Sequence, residues 1–317
     1  MTTFIIQRLL SALPTLLATL ALVFALMNLA PGDPVEAQLS PGQGLNVEQR
    51  AALRHQLGLD RSAPERFLGW LGQVARGDLG HRYKDGSPVL QEIVQRLPAT
   101  LMLTVAGLGV GTVLGMALGL VCAACPGSRT DRAMSLLACI GISTPAFLLG
   151  IVAMHLFALS LGWLPSSGYA SPGDGSPGDV LRHLILPAGV LSVQFIAILM
   201  RYTRSSVLEV RTQDYMRTAR AKGLSDARAL IGHAFPNALI PIVTVIGANV
   251  SALVGGAVFV ETVFSWPGLG MLFVDGIEAR DYPLIMGITL FMAMSILVIN
   301  LVTDLVYAWI DPRITLR

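Results

Sequence analysis

The chain has 317 residues, of which 53% are hydrophobic and only 13% charged, with a formal net charge of +2. Soluble globular proteins carry about 25% charged residues. The shortfall is too large for one water-soluble core, and it directs attention to where the uncharged stretches fall.

A helix crossing a bilayer needs about 20 largely apolar residues, and it satisfies its own backbone hydrogen bonds in lipid. Six intervals without Asp, Glu, Lys or Arg meet or approach that length: Leu9–Gly32, Leu97–Ser128, Ala133–Gly173, His183–Met200, Ala229–Val260 and Tyr282–Thr303. They predict an all-α membrane protein with six spans in a single transmembrane domain over residues 1–317. The first span ends in Pro31-Gly32-Asp33-Pro34 without a small-residue cleavage site, so it reads as a retained anchor and not a signal peptide.

Between the first two spans, residues 31–98 are predicted to form a small helical segment outside the membrane. Asn46 with Gln49 and Ser62 with Glu65 are capping-box patterns, stopped by Gly58 and Gly77, and Ser87-Pro88 starts a third helix leading to Pro98. Eight Lys/Arg balance eight Asp/Glu there, so the segment is no nucleic-acid patch. It serves as a docking or gating cap, or as a lid that braces the helices.

The second span carries Gly107, Gly111, Gly115 and Gly119, a four-residue ladder along one helix face that fits close packing of helices in lipid. With Gly109 it reads G-x-G-x-G, but it lies mid-span without a strand–turn–helix context, which rejects a dinucleotide site. Cys122-x-x-Cys125 has no second pair and no histidine at ligand spacing, so the cysteines read as small apolar residues and no metal is expected. The third interval exceeds one crossing; Trp163, Pro165, Ser166, Ser167 and Gly168 are predicted to end its helix. The fourth is short, and its helix is expected to run past Arg201 and Arg204, whose charged heads can snorkel to the interface.

Six spans put both termini on one side. Outside the long 31–98 segment, one side holds twelve Lys/Arg, seven of them between Arg201 and Pro236, and the other only Arg182 and Arg280. The positive-inside rule then makes both termini cytoplasmic.

The connection 201–236 is the largest on that side. Asp214 is placed to cap a short helix over Tyr215–Lys222, and Gly223 suits the left-handed position that ends it. Ser225 or Asp226 starts a second helix ending near Pro236. Ala219 and Gly223 share a face in this reading, bordered by Arg217, Arg220 and Lys222, and the result is a stiff helical elbow.

Polar residues in or near spans are Asn28, His155, Gln194, Asn249, Ser251, Glu261, Asn300 and Asp304. Gln194, Asn249, Glu261 and Asp304 are the candidates for a path or gate; each also reads as a helix-to-helix hydrogen bond or an interface anchor. The chain contains neither a G-x-x-x-x-G-K-[ST] loop nor an H-E-x-x-H. No Ser/His/Asp set or paired carboxylates can be assembled into a catalytic site, so it is not expected to be an enzyme. Without an internal repeat or mid-span acids, a secondary transporter is the weaker reading.

The segment Asp214-Tyr-Met-Arg-Thr-Ala-Arg-Ala-Lys-Gly223-Leu-Ser resembles the EAA loop of ABC importer permeases in its dipeptide and oligopeptide (DppB/OppB-like) form. Ala219, Gly223 and Pro236 match the general pattern, while Arg217-Thr218 departs from its leading Glu-Ala. The resemblance covers the whole chain through Pro31-Gly32-Asp33-Pro34, Leu57-Gly58-Leu59-Asp60, Gly77-Asp78-Leu79-Gly80, Arg204-Ser205-Ser206, Asn237-Ala238-Leu239-Ile240-Pro241, Phe264-Ser265-Trp266-Pro267-Gly268-Leu269-Gly270, Arg280-Asp281-Tyr282-Pro283 and Asp311-Pro312-Arg313. It implies the type I importer permease fold, a multi-pass subunit of a bacterial inner membrane, and no cofactor in this chain. ATP and Mg would be bound by two separate ATPase subunits. A second homologous permease would complete a heterodimer, an extracytoplasmic solute-binding protein would deliver substrate, and nucleic acid has no part. Peptides are the expected cargo, with glutathione, nickel or a metal chelate as alternatives.

Overall fold

The computed structural model describes residues 2–37 and 46–310, and of these the backbone alone at 2–6, 9, 220, 240 and 307–310. Asp311-Pro312-Arg313 lies outside the described residues. In chain order the helices are α1 (Thr2–Leu29), α2 (Pro34–Ala37), α3 (Val47–Gln56), α4 (Ala63–Val74), α5 (Val89–Ala124), α6 (Arg129–Ser143) and α7 (Ala146–Ala153). A π-helical stretch (Met154–Ser160) continues α7. Then come α8 (Pro177–Arg211), α9 (Asp214–Ala221), α10 (Asp226–Ala229), a second π stretch (Leu230–Ala234), α11 (Phe235–Val263), α12 (Leu269–Glu278) and α13 (Tyr282–Ile310). No strand occurs among the described residues. The chain forms two compact units, one of residues 1–100 and 267–297, the other of 101–266 and 298–317.

In the first unit both predicted capping boxes form. The Asn46 side chain accepts from Gln49 N at 2.7 Å while Gln49 accepts from Asn46 N, and Ser62 pairs with Glu65 in the same way. The third predicted helix does not stop at Pro98. It continues without a break into the second span as the 36-residue α5, with Pro98 inside it. Proline removes one hydrogen bond and crowds the preceding turn but does not by itself end a helix held on both sides by packing. Val89, Ile93, Leu269, Leu272, Leu284 and Ile288 form one buried cluster; Leu20, Met286 and Leu290 form another, with Phe67 and Trp70 packed on it.

In the second unit α5 and α8 lie side by side with their residues in parallel register. A Cβ built on Gly107 meets Leu191, on Gly111 Phe195, on Gly115 Leu199, and on Gly119 Thr203. Two parallel neighbours require the chain between them to return. That return is α6 with α7. It starts beside the C-terminal end of α8, where Asp131 meets Arg204, and it leaves toward the N-terminal end, where Ser171 meets Asp179. Among the described residues five helices are long and apolar enough to span a membrane, and the number is six when this bent pair is counted as one span.

The third span is therefore not one straight rod: α6 and α7 meet at 107°. Pro145 is the cause. It disfavours helical backbone at Thr144, which is extended at φ −93° and ψ 125°. The fourth helix does run past Arg201 and Arg204, ending at Arg211. Arg204 does not snorkel, however. Its guanidinium makes a two-pronged bond to Asp131 at 2.6 and 2.8 Å. Many apolar side chains on the long helices point outward, among them Val105, Val113, Phe259 and Val298, each more than half exposed. That is the arrangement lipid accepts and water does not.

Candidate functional site

The elbow is built by three local signals. Asp214 is the first residue of α9 and not its cap; its fully exposed carboxylate lies 3.9 Å from Arg217. Gly223 adopts φ +86°, the left-handed conformation that glycine tolerates best, and a Cβ there would meet open space. Ser225 then supplies the extended N-cap residue of α10. The second elbow helix does not end near Pro236. It runs through the π stretch directly into α11, because the wider π turn sits where Pro236 lacks an N–H for the carbonyl four residues back.

The face of α9 differs from the expected one. Met216 and Ala219 are buried, at 0% and 8% exposure, so Ala219 supports the helix from within and does not share an outward face with Gly223. The outward residues are Asp214, Tyr215, Arg217, Thr218, Ala221 and Lys222; of Arg220 only the backbone is described. The elbow is moored to its own unit by Arg211, whose guanidinium donates to the backbone carbonyl of Ala123 at the C-terminal end of α5. Asp131 accepts from Gly127 N at 2.8 Å as well as from Arg204, which locks the α5–α6 turn to α8 just before the elbow. Sequence reading noted Arg204 but passed over Asp131, which lies in a charged turn and carries no spacing signal of its own.

Two path candidates come together. Gln194 and Asn249 line one small cavity of about 60 Å3 between α8 and α11. Gln194 donates to the carbonyl of Thr144 at 3.1 Å, satisfying an acceptor exposed by the break in the third span, and Asn249 donates to Val245 O in its own helix. Glu261 is elsewhere and fully buried within the protein. Asp304 is part-buried on α13 and does not line that cavity. Ser251 donates to Asn300 at 3.0 Å. Asn28 and Arg66 are hydrogen-bonded partners in the first unit, and His155 is exposed on the first π stretch.

The first unit gathers motifs that are far apart in the chain. Arg280, itself at φ +52°, donates to the carbonyls of Pro31 and Gly32. The Tyr282 hydroxyl donates to Met27 O at 3.1 Å, and Val35, Leu59 and Tyr282 share one buried cluster. Asp33 receives Arg54 at 2.6 Å. Asp281 is fully buried and accepts from the backbone N–H of Tyr83 and Leu284, with Arg82 3.6 Å away. Burial pushes its carboxyl above the usual range against these donors and the Arg82 charge. Burial also pushes the Tyr83 hydroxyl up to about 12, opposed by the Arg66 charge.

The arrangement contains helices of spanning length, an elbow in the second unit and a tied helical segment in the first, but among the described residues no cluster of His, Cys, Asp or Glu that could hold a metal. Residues 115–316 match the family described as binding-protein-dependent transport system inner membrane component, and residues 1–104 match the N-terminal model of such membrane components. The chain belongs to this family. It is a permease subunit of an ABC importer, a multi-pass protein of the inner membrane. The permease is 45% identical over 98% of both chains to a protein named as a peptide permease in Brucella ovis. It is 41% identical over 99% of both chains to the glutathione transport system permease protein GsiC of Pectobacterium atrosepticum. In fold it is similar to a chain of the inward-facing MetNI methionine ABC transporter, with TM-score 0.57, 19% identity, and coverage of 70% of this permease and 97% of that chain.

Proposed function

We propose that this permease forms half of a translocation path for di- and oligopeptides, pairs with a second homologous permease, and is driven through its elbow by two ATPase subunits that bind ATP and Mg. The outer helical segment meets an extracytoplasmic solute-binding protein, and both termini are cytoplasmic, as the lysine and arginine bias requires. Residues 1–317 act as one transmembrane domain, with 31–98 as its outer segment and 201–236 as its coupling connection.

The observation that carries this reading is the build of the elbow. A short helix with Met216 and Ala219 turned inward presents Asp214, Tyr215, Arg217, Thr218 and Lys222 outward. It follows α8, whose last residue Arg211 is tied to the end of α5, and it precedes α10, which runs unbroken into α11. A push on it reaches spanning helices through connections of only two residues on one side and four on the other. The nucleotide state can bias an inward–outward equilibrium only through differential contacts, and this surface is where such contacts would be made. Gly107, Gly111, Gly115 and Gly119 act as the packing face that carries the displacement, and Gln194 and Asn249 line the path; Glu261 and Asp304 are gate residues. Peptide is favoured as cargo by the Brucella ovis relative. Glutathione is the alternative, on the Pectobacterium atrosepticum relative.

The test is Gly223→Trp in the assembled transporter. The expected result is a subunit that reaches the membrane and assembles, with ATP hydrolysis no longer stimulated by loaded binding protein and uptake lost. Wild-type rates of both would refute the role given to the elbow.

A further inference from the structure

The face of α8 that carries Gln194 continues into a larger cavity. This cleft, of about 590 Å3, opens between α6 and α8 and includes Ser135, Cys139, Ile198, Arg201, Tyr202 and Ser205 in its walls. Ile198 also lines the small cavity that holds Gln194 and Asn249, so the two spaces share a wall. Gln194, Ile198, Arg201 and Ser205 follow one another at spacings of four, three and four, which puts them on one helix face. Arg201 is seven residues beyond Gln194, roughly 10 Å along the axis at 1.5 Å per residue.

Two guanidiniums border this cleft and they differ. Arg204 is held by Asp131. Arg201 is exposed and has no hydrogen-bond or ion-pair partner among the described residues, and no Asp or Glu lines the cleft. A cation within a spanning helix belongs against water, protein or an opposite charge, not against lipid. The walls beside Arg201 mix the hydroxyls of Ser135, Tyr202 and Ser205 with the apolar side chains of Ile142 and Ile198, and they supply no anion. A guanidinium recognises a carboxylate through two parallel N–H donors.

We infer that this cleft is an inner station of the translocation path, where Arg201 takes the carboxylate of the passing solute. The inference rests on the reading of the permease as a peptide importer and adds the chemical group that is recognised and the residue that recognises it. An exposed guanidinium suits the task, because an ion pair that stays wet is worth at most about 1 kcal/mol, and a station on a path must release what it holds.

Cys139 in the cleft wall is exposed and supplies the reporter. The assembled transporter, carrying Cys122→Ala and Cys125→Ser and with partner cysteines removed, is placed in phosphatidylcholine vesicles. Modification of Cys139 by an anionic sulfonatoethyl methanethiosulfonate is compared with that by its cationic trimethylammonium counterpart. The anionic reagent is expected to be favoured, with the preference falling about fivefold in Arg201→Gln, the worth of an exposed pair, and retained in Arg201→Lys. Dialanine is expected to slow the modification and dialanine amide, which lacks the carboxylate, to leave it unchanged. Equal protection by the amide, an unchanged preference in Arg201→Gln, or protection that appears only with phosphatidylglycerol in the vesicle overturns the site. So does a Cys139 that is inert in the assembled complex, sealed by the second permease. Dialanine uptake measured in the same vesicles separates the two levels. Normal uptake with unprotected Cys139 removes the station alone, and absent uptake with protection intact removes the peptide reading.

Discussion

In the first unit, the long-range ties run from polar side chains to distant backbone. Arg280 reaches the carbonyls of Pro31 and Gly32, Tyr282 reaches Met27, and Asp281 accepts from the N–H of Tyr83. In the second unit, the corresponding work is done largely by missing side chains. Gly107, Gly111, Gly115 and Gly119 let α8 approach α5 closely, and one ion pair, Asp131–Arg204, secures the end of that contact. The difference follows the solvent. On the proposed topology residues 31–98 of the first unit stand in water, where a loop is fixed only by directional bonds that outcompete hydration. Between helices in lipid there is no hydrophobic drive to associate, so close contact and a few satisfied polar groups decide.

The largest effect that sharpens this contrast is expected at Gly119. A Cβ there would lie 2.6 Å from Thr203 Cβ and 2.8 Å from the backbone carbonyl oxygen of Met200. Backbone cannot step aside, so Gly119→Leu should exceed the about 1–3 kcal/mol of ordinary overpacking and remove folded subunit from the membrane, read by size-exclusion of the detergent extract. Gly109→Ala, on the same helix but with nothing within 4 Å of its Cβ, should be neutral or stabilising by up to about 1 kcal/mol through helix propensity. Equal losses in both would break the idea that one helix face carries the packing.

Next in size is Asp131→Asn, which leaves the Arg204 guanidinium without its counter-charge. Breaking a buried pair costs about 3–5 kcal/mol, and the partial exposure of Arg204, 31% of its side chain, places this case at or below the lower end. Thermal unfolding of the purified subunit should register the loss. The double replacement Asp131→Leu with Arg204→Met should recover most of it, since an apolar pair needs no partner. A double variant no better than the single would assign the cost to the Gly127 turn that Asp131 also caps.

How much of this was legible in the sequence depended on whether the determining signal was local. Capping boxes at Asn46 and Ser62 and the left-handed Gly223 depend on four or five neighbouring residues, and all three appear in the structure. The glycine spacing in α5 announced a packing face but not its partner, because Leu191, Phe195, Leu199 and Thr203 are ordinary residues of an apolar helix. Prolines misled in both directions. Pro98 does not stop a helix that packing holds together, whereas Pro145, buried in a long uncharged interval, bends the third span by 107°. Ala219 was assigned outward on spacing alone, and the facing of an eight-residue helix is set by what it rests on. The ties of Arg280 and Asp281 cross about 200 to 250 residues of chain, a distance over which no periodicity operates.

The smallest effect tests whether burial or charge governs the polar ties of the first unit. Burial raises the Asp281 carboxyl above its unfolded value, while two backbone donors and Arg82 act in the opposite direction. A carboxyl raised in the fold holds its proton more tightly there than in the unfolded chain. Its contribution to stability is therefore complete below the ordinary carboxylate range, near 4, and is lost as pH rises through the raised folded value. Asparagine at 281 does not titrate. The advantage of the wild-type permease over Asp281→Asn should accordingly be greatest near pH 4 and shrink toward neutrality, followed as protease resistance of the 46–98 segment across that range. An advantage that grows with pH would mean that Arg82 at 3.6 Å outweighs desolvation, and that the ties of this unit are electrostatic before they are anything else.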